Sequence, residues 1–599
     1  MCGIAGELRF DGTAPARAVL ERMSAKLARR GPDGQGFWGE GAVAFAHRRL
    51  AIIDLSERSR QPMVAADCGL SLVFNGTIYN YPELRAVLHG LGHTFFSDGD
   101  TEVILRAYAQ WGEQCVERLH GMFAFAIRDS RKQTLFLARD RLGIKPLYFA
   151  HTGAYFRFAS NIQALLAAGG VDTAIDPVAL HHQFTLHSVV PPPQTILKGI
   201  RKLEQGTTLT IDATGVTTTR RYWSLHAQRP QDTHLPLTEP QWTEAIHEAL
   251  RVAVKKRSQI ADVKVGVLLS GGLDSSLLVA LLAEQGISDL MTFSIGFEDH
   301  PEERGNEFEY SDAVADYFGT RHHQIAIPNA EVLQRLPEAI DCMAEPMVSQ
   351  DVISFYLLSE QVSKTVKVVQ SGQGADEVFA GYSWHPKMAA MSASPIDRLR
   401  RHYFDRDHDE FAVMVAPTFQ VGDVTSELLA AKLAEPYADE FLDQLLRAEA
   451  TLLITDDPVK RVDNMTMAWG LEARVPFLDH HLVELAAQMP PAMKLGPGMD
   501  DGKHVLKRIA RGLLPDRVID RPKGYFPMPA LKFVRGEFLE FMRATLDSQA
   551  CRQRGLYQRA YVETLLAEPE KHLTRIQGSK LWHLALLELW LQRNVDGMR

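Results

Sequence analysis

The first third of the chain is patterned as short apolar runs of strand length, separated by polar residues and glycines. These runs lie at residues 70–74, 123–127, 135–138, 147–150 and 155–158. A helical pattern at residues 101–111 would cover them, since antiparallel sheets commonly bury one face in this way. We therefore predict a sandwich of two antiparallel sheets between helices in this part of the chain.

The pattern changes after about residue 240, where a strand-like run is followed by a helical pattern. The apolar run at 263–269 leads into a glycine turn, and a helical pattern at 276–285 leaves it. Further β-type runs lie at 291–297 and 366–369, and amphipathic helical patterns become frequent from about residue 400. The fold class is therefore α/β, with a parallel sheet and additional helices in the second part.

The stretch from about 186 to 240 contains Pro191, Pro192 and Pro193 and few periodic segments, which is typical of a domain junction. We divide the chain into a first domain at residues 2–210, a junction at 211–240 and a second domain at 241–599. A length of 599 residues fits more than one domain, and 46% hydrophobic with 23% charged residues is a globular composition.

Charge, cysteine usage and hydropathy restrict the partners and the compartment. A net charge of −9 without a basic stripe argues against nucleic acid. The five scattered cysteines form neither a disulfide framework nor a C-x-x-C pair for zinc. No leader precedes the first motif, and no apolar run approaches the ~20 residues that span a bilayer. We expect a cytoplasmic protein that acts on small molecules without nucleic acid or membrane, and a homodimer stays open.

Two strand-like runs end in glycine turns that are followed by an aspartate. One reads Ser270-Gly271-Gly272-Leu273-Asp274-Ser275 and the other Ser371-Gly372-Gln373-Gly374-Ala375-Asp376. Glycines let a phosphate approach the backbone, and serine hydroxyls and first-turn amides can donate to it. An ordinary strand-to-helix turn would explain either stretch alone. Two strands that end alike indicate an anion site at the carboxyl ends of a parallel sheet, although the lysine-bearing loop of kinase-like NTPases is absent.

These turns resemble those of the pyrophosphate-loop ligases, which cleave ATP between the α and β phosphates, and in particular the glutamine-dependent asparagine synthetase family. The resemblance implies that Asp274 and Asp376 hold Mg²⁺ on the pyrophosphate, as hard carboxylate oxygens would. Leu268 and Ile295 would border the adenine. The ATP-binding residues implied in this way are Leu268, Ser270, Gly271, Gly272, Asp274, Ser275, Ile295, Ser371 and Gly372.

The second residue of the chain is a candidate nucleophile. Removal of Met1 would make Cys2 the amino terminus, and its own α-amine, with an ordinary pKa near ~7.7–8.0, could take the thiol proton. A lone cysteine is more often a buried structural residue, so its position does not decide between the two readings. The motifs that follow favour the nucleophile.

Those motifs resemble, in order, the landmarks of the class II glutamine amidotransferase domain, an N-terminal-nucleophile hydrolase. They lie at residues 29–34, 47–52, 74–80 and 98–102. The resemblance implies that Arg49 binds the α-carboxylate of glutamine and Asp100 its α-ammonium group. Asn75 and the Gly76 amide would form the oxyanion hole. Asparagine synthetases usually carry Glu where this chain has Thr77, so a carboxylate near the ammonium group is missing.

The second domain departs from the family at its general base. The family's glutamate that assists ammonia attack usually lies where this chain has Gln373, and an amide cannot accept a proton. Glu345 is our substitute candidate for the base, although a lone Glu is usually solvent-facing. Lys523 resembles the family's lysine that neutralises the α-phosphate and the leaving pyrophosphate. The alternative is that Lys523 is an ordinary solvated lysine in a loop.

Together these resemblances imply a two-domain ligase that releases ammonia from glutamine, adenylates a carboxylate and forms an amide. Aspartate is the default acceptor. Thr77, Gln373 and the stretches 367–374, 456–469 and 523–527 look instead like the N-acetylglutaminylglutamine amidotransferase branch, which makes the terminal amide of an osmoprotective dipeptide. A plain glutaminase with a structural second domain and a tRNA-modifying pyrophosphate-loop enzyme are the alternatives of another class.

Overall fold

The structure is a computed structural model that describes residues 2–229, 237–287, 289–299, 304–499, 501–521, 531 and 534–598. Within these residues, the first domain contains two antiparallel sheets that face each other. Strand order in the first sheet is β10-β8-β9-β1-β3-β2 and in the second β12-β11-β7-β6-β5-β4. The strands are β1 Gly3–Arg9, β2 Gly34–Glu40, β3 Val43–Arg49, β4 Met63–Ala65, β5 Leu70–Ile78, β6 Gly121–Asp129, β7 Thr134–Arg139, β8 Tyr148–His151, β9 Tyr155–Ala159, β10 Arg201–Lys202, β11 Thr207–Ile211 and β12 Thr217–Arg221.

Alternation along the strands explains why both sheets are covered on both sides. On β6, Ala124 and Ala126 pack between the sheets, whereas Phe123, Phe125 and Ile127 pack towards the helices outside. Helices cover each outer face, as the apolar runs predicted. The helices of this domain are Arg17–Lys26, Tyr81–Gly90, Asp100–Trp111, Cys115–Arg118, Ile162–Ala168 and Pro177–Thr185.

The second domain is organised on a parallel sheet of strand order β15-β14-β13-β16-β17. β13 and β16 lie side by side, so the two glycine turns that follow them meet at one edge of the sheet. The parallel sheet and the α/β class are therefore confirmed. The strands are β13 Val265–Leu268, β14 Met291–Phe297, β15 Arg321–Ile327, β16 Val368–Gln370 and β17 Glu472–Arg474.

Many helices pack around this sheet and extend beyond it to the end of the chain. The last long helix is apolar on nearly every side and buries Trp582 and Trp590, so these tryptophans belong to the core. The helices are Glu239–Gln259, Leu273–Glu284, Phe308–Phe318, Asn329–Cys342, Asp351–Ser363, Ala375–Phe379, Trp384–Ala390, Pro395–His402, His408–Met414, Val424–Leu433, Phe441–Ala448, Ile454–Asp456, Pro458–Met467, His480–Ala487, Pro491–Leu495, His504–Ala510, Asp516–Ile519, Gly536–Leu546, Gln549–Arg554, Arg559–Ala567 and Lys580–Asn594.

The second sheet of the first domain extends into the predicted junction at residues 211–240. β12 pairs with β11 in the second sheet, so the sheet continues to Arg221, past the predicted end at residue 210. The run 217–221 has no apolar residues because this edge strand is largely exposed, and it therefore carries no strand pattern. Of the described helices, none is both long and apolar enough to cross a membrane.

Buried ion pairs join the two domains next to the chain start. Asp463, on helix Pro458–Met467, accepts from Arg30 at 2.9 Å and from Lys145 at 3.1 Å. Arg30 also donates to the Cys2 carbonyl at 3.3 Å. A helix of the second domain is thereby tied to the first residues of the first domain.

Candidate active sites

Cys2 lies at a cavity between the two sheets' ends and the second domain. The residues predicted for glutamine chemistry meet there: Cys2, Arg49, Gly76 and Asp100 line the cavity. Asn75 adjoins it, because its Oδ1 accepts from the Cys2 backbone amide at 3.0 Å. β1, β3, β5 and the start of helix Asp100–Trp111 thus bring residues distant in sequence to one place.

Backbone geometry accounts for the Asn75-Gly76 pair. A Cβ at position 76 would lie 2.1 Å from the Met122 carbonyl oxygen, so only glycine fits beside β6. The buried Asn75 Nδ2 has no hydrogen-bond partner among the described residues. A buried amide donor without a partner is suited to an oxyanion that forms only during reaction.

The charged groups of the cavity are held in place by the backbone. Arg49 donates to the Ser56 and Asp54 carbonyls at 3.0 and 2.6 Å. Asp100 Oδ2 accepts from the Ile78 amide at 3.1 Å, and burial raises the pKa of Asp100 to about 6. Burial also raises the pKa of the Cys2 thiol, so Cys2 is not a stable thiolate and needs a base when it attacks.

Thr77, the departure noted in the sequence, contacts the second domain. Its Oγ1 donates to Glu472 Oε1 at 3.3 Å, and both residues line the Cys2 cavity. Glu472 lies on β17 of the second domain. Sequence reasoning missed its place at the glutaminase cavity because the contact joins residues of two domains.

A second cavity lies at the carboxyl ends of β13, β14 and β16, where the ATP residues were predicted. The predicted residues that line it are Leu268, Ser270, Gly272, Asp274, Ser275, Ile295, Ser371, Gly372 and Asp376. Gly271 has a φ of +74°, and a Cβ there would lie 2.5 Å from the Ser311 amide nitrogen. Glycine at this position therefore permits the turn that opens the cavity. Gln373 also lines it.

Lys503 stands between the two aspartates predicted to hold metal. Its Nζ lies 2.5 Å from Asp274 Oδ2 and 3.0 Å from Asp376 Oδ1. Although burial lowers it, the two carboxylates raise the pKa of Lys503 above its ordinary value. The sequence did not single out this lysine, since one lysine at the start of helix His504–Ala510 has no local signature.

Two further groups near the ATP cavity were not predicted. Glu307 lines the cavity and accepts from Arg521 at 3.0 Å. The Arg521 guanidinium also lies 4.5 Å from the Tyr310 ring centroid. Lys523, predicted from the same stretch as Arg521, lies outside the described residues.

A larger cavity of about 430 Å³ lies beside the ATP cavity. Helix Ala375–Phe379 separates the two: Asp376 lines the ATP cavity and Glu377 the larger one. Tyr382 and Trp384 stack on its wall with ring centroids 4.4 Å apart. The Trp384 indole nitrogen is buried and has no hydrogen-bond partner among the described residues. Its lining is mixed in charge: Arg461, Lys387 and Arg575 lie there with Asp351, Glu377, Glu449 and Asp457, and Arg461 pairs with Asp351 and Asp457.

Glu345 is held in a buried cluster of ion pairs between the two domains. It is buried, and its carboxylate accepts from Lys202 at 3.0 Å and from Tyr148 at 3.1 Å. Lys202 also contacts Asp456 at 2.6 Å. Glu345 is not among the described residues that line the ATP cavity or the larger cavity, and its role as the ammonia base stays a prediction. The sequence offered it only as a substitute carboxylate and did not reveal its pairing with Lys202 and Tyr148.

Comparisons with known proteins agree with this arrangement. The glutamine amidotransferase domain family matches residues 1–223, and the asparagine synthase family matches residues 245–592. The chain is 32% identical over 576 residues to asparagine synthetase (glutamine-hydrolysing) 3 of Bacillus subtilis, covering 92% of this chain and 91% of that protein. It is 32% identical over 649 residues to a putative asparagine synthetase (glutamine-hydrolysing) of Mycobacterium bovis, covering 98% and 97%.

The chain therefore is an ATP-dependent carbon–nitrogen ligase with glutamine as amide donor. It belongs to the glutamine-hydrolysing asparagine synthetase family. The glutaminase class predicted for the first domain and the ligase class predicted for the second are both confirmed. A glutaminase whose second domain is only structural is excluded by the match to the asparagine synthase family.

Proposed function

We propose that this ligase forms the terminal amide of N-acetylglutaminylglutamine, with aspartate as the alternative acceptor. The observation that carries the proposal is the cavity of about 430 Å³ beside the ATP turns. Cavities of about 300–1,000 Å³ take drug-sized ligands, and an acylated dipeptide is much larger than aspartate. The stacked Tyr382–Trp384 pair offers a flat apolar wall to peptide planes, and the Trp384 N–H offers a donor to an amide oxygen.

In the first half-reaction, Cys2 attacks the side-chain amide of glutamine after Met1 is removed. The Cys2 α-amine takes the thiol proton, since burial disfavours the thiolate. Arg49 and Asp100 hold the α-carboxylate and α-ammonium groups. Asn75 and the Gly76 amide stabilise the tetrahedral oxyanion. The intermediate expels ammonia, which carries the proton returned by the α-amine, to give a thioester, and water then releases glutamate and frees the thiol.

In the second half-reaction, the acceptor carboxylate attacks the α-phosphate of ATP, and pyrophosphate leaves. Ser270, Ser275 and the first-turn amides of helix Leu273–Glu284 donate to phosphate oxygens. Lys503, within reach of both aspartates, offsets negative charge on the phosphates. Ammonia from the first domain then displaces AMP from the acyl-adenylate and leaves the amide.

Asp274 and Asp376 are the residues that would hold Mg²⁺. The two carboxylates are placed so that they can share a cation, because the Lys503 ammonium group already lies between them. Hard carboxylate oxygens suit this ion. When bound, Mg²⁺ supplies charge neutralisation for the leaving pyrophosphate.

Acceptor-dependent pyrophosphate release tests the acceptor. We expect purified protein with ATP, magnesium and ammonium to release pyrophosphate with N-acetylglutaminylglutamine and to yield its amide. Trp384→Ala should raise KM for the dipeptide by about 10-fold, since aromatic contacts and lost burial cost about 1.5 kcal/mol or more. Asn329→Ala is the control, because Asn329, on helix Asn329–Cys342, is not among the described residues that line the larger cavity or the ATP cavity. Turnover with aspartate alone would identify an asparagine synthetase instead.

The pH dependence of glutamine use tests the role of Asp100. Its pKa of about 6 means that the carboxyl becomes neutral as pH falls through that value, and a neutral carboxyl no longer pairs with an ammonium group. We expect kcat/KM for glutamine to fall below about pH 6, because this parameter reports the free enzyme.

Asp100→Asn should remove this acidic limb and lower kcat/KM at neutral pH. Asp98→Asn is the matched control, because the Asp98 side chain is 73% exposed and pairs with Arg58 outside the cavity. A limb that persists unchanged in Asp100→Asn would assign the titration to another group.

A further inference from the structure

The Cys2 cavity contains a carboxylate that the first domain does not supply. Among its described lining residues, Arg49 carries positive charge, and Asp100 and Glu472 carry negative charge. Asp100 belongs to the first domain, whereas Glu472 lies on β17 of the second. The glutaminase cavity is therefore completed by a side chain of the ligase domain.

This set of charges matches free glutamine. The α-carbon of glutamine carries one carboxylate and one ammonium group, and both must be paired when they are removed from water. Arg49 suits the carboxylate. At the other end, Asp100 and Glu472 together offer more negative charge than either alone, and the ammonium group has three donors to share between them.

The two carboxylates differ in how readily they stay ionised. Burial, with a smaller contribution from the Glu472 charge, raises the pKa of Asp100 to about 6. Burial acts in the same direction on Glu472, but the positive charge of the chain's amino terminus, followed by those of Arg474 and Lys145, lowers its pKa to about 2. Glu472 therefore remains an anion across the pH range in which Asp100 becomes neutral.

Glu472 is held rigidly from three sides. Arg474 Nε donates to Glu472 Oε1 at 2.6 Å, and Arg474 itself is fixed on the carbonyls of Arg257 and Ile260 at 2.8 Å. Thr77 Oγ1 donates to the same carboxylate oxygen. β17 pairs with β16, with Glu472 opposite Val368. Glu472 also lines the cavity. A carboxylate that binds substrate must do so, whereas one that only pairs with Arg474 need not.

We propose that Glu472 is a substrate-positioning residue of the glutaminase: together with Asp100 it binds the α-ammonium group of glutamine, and the Thr77 hydroxyl orients it. The proposal rests on the glutaminase activity of the first domain and does not depend on which carboxylate accepts the amide. It also makes the ligase domain a part of the glutamine site.

Glutaramate, which is glutamine without its α-amino group, separates ammonium binding from general damage to the site. Hydrolysis of glutamine and of glutaramate is measured in the full-length enzyme, with the inhibition constant of glutaramate used where its turnover is too slow. Glu472→Gln should reduce the preference for glutamine, the ratio of kcat/KM for glutamine to that for glutaramate, by about 10-fold or more. The change should come mainly from KM, since losing a hydrogen bond to a charged group weakens binding by about this factor. Thr77→Val should shift the preference in the same direction by less.

Glu588→Gln is the matched control, because Glu588 is fully buried and pairs with Arg554 at 3.0 Å, far from the cavity. It breaks a buried Glu–Arg pair and should leave the preference between the two compounds at its wild-type value. If Glu472→Gln weakens both compounds equally, Glu472 is structural and the proposal fails. Should that variant not fold, an unchanged preference in Thr77→Val overturns the proposal instead.

Discussion

Replacing Cys2 by alanine is expected to abolish glutamine-dependent amide formation and to leave synthesis from added ammonium intact. The thiol is the bond-forming group of the first half-reaction, and loss of a nucleophile commonly costs about 10³-fold or more. The ligase cavities are lined by other residues, so ammonia supplied from solution bypasses the loss. Amide formation is measured with each nitrogen source at saturating ATP and acceptor.

Cys68→Ala is the matched control for this variant. Cys68 belongs to the same domain, is partly exposed and contacts Arg106 and Asp67 rather than the Cys2 cavity. It should support both reactions. Loss of ammonium-dependent synthesis in Cys2→Ala would contradict the two-site account, because the nucleophile would then take part in the ligase chemistry or in folding.

Much of the fold could be predicted from local pattern. The run 291–297 is β14, the helical pattern at 101–111 falls in helix Asp100–Trp111, and the first-domain runs are strands within a few residues of the predicted ends. These segments have strong alternation or long apolar stretches, and burial on the predicted side stabilises them. β12 escaped prediction because an exposed edge strand of threonine and arginine has no apolar face to read.

The candidate sites were predictable where a motif is contiguous. The glycine turns and the Asn75-Gly76 pair need glycine for close approach, and this need is visible in the sequence. Lys503 and Glu472 lie far along the chain from the residues that they contact. They reach Asp274 and Thr77 only because helices and strands far apart in the chain pack together. No local pattern encodes such a meeting.

The surroundings of Glu345 likewise could not be predicted from the sequence. A glutamate looks available for proton transfer in a sequence, but in the structure Lys202 and Tyr148 satisfy its carboxylate in a buried site. Whether a carboxylate is a base or part of an ion pair depends on partners that are supplied by tertiary packing. Glu345 thus links β10 and β8 of the first domain to the second.

Asp274→Asn and Asp376→Asn are expected to abolish amide formation with glutamine and with ammonium alike. Each change removes one negative charge from the pair that faces the phosphate turns, while the size of the side chain stays almost constant. The remaining carboxylate would hold Mg²⁺ poorly, and charge stabilisation of phosphoryl oxygens by a metal is worth several kcal/mol. We expect losses of at least about 100-fold in kcat/KM for ATP.

Asp316→Asn provides the control, because Asp316 is an exposed aspartate on helix Phe308–Phe318 of the same domain and should retain wild-type synthesis. Glutamine hydrolysis should survive in all three variants, since no described residue lines both the Cys2 cavity and the ATP cavity. Wild-type product analysis should yield AMP and pyrophosphate. ADP and phosphate would instead mean that the glycine turns direct attack to the γ-phosphate, and the adenylation chemistry assigned to Asp274 and Asp376 would be wrong.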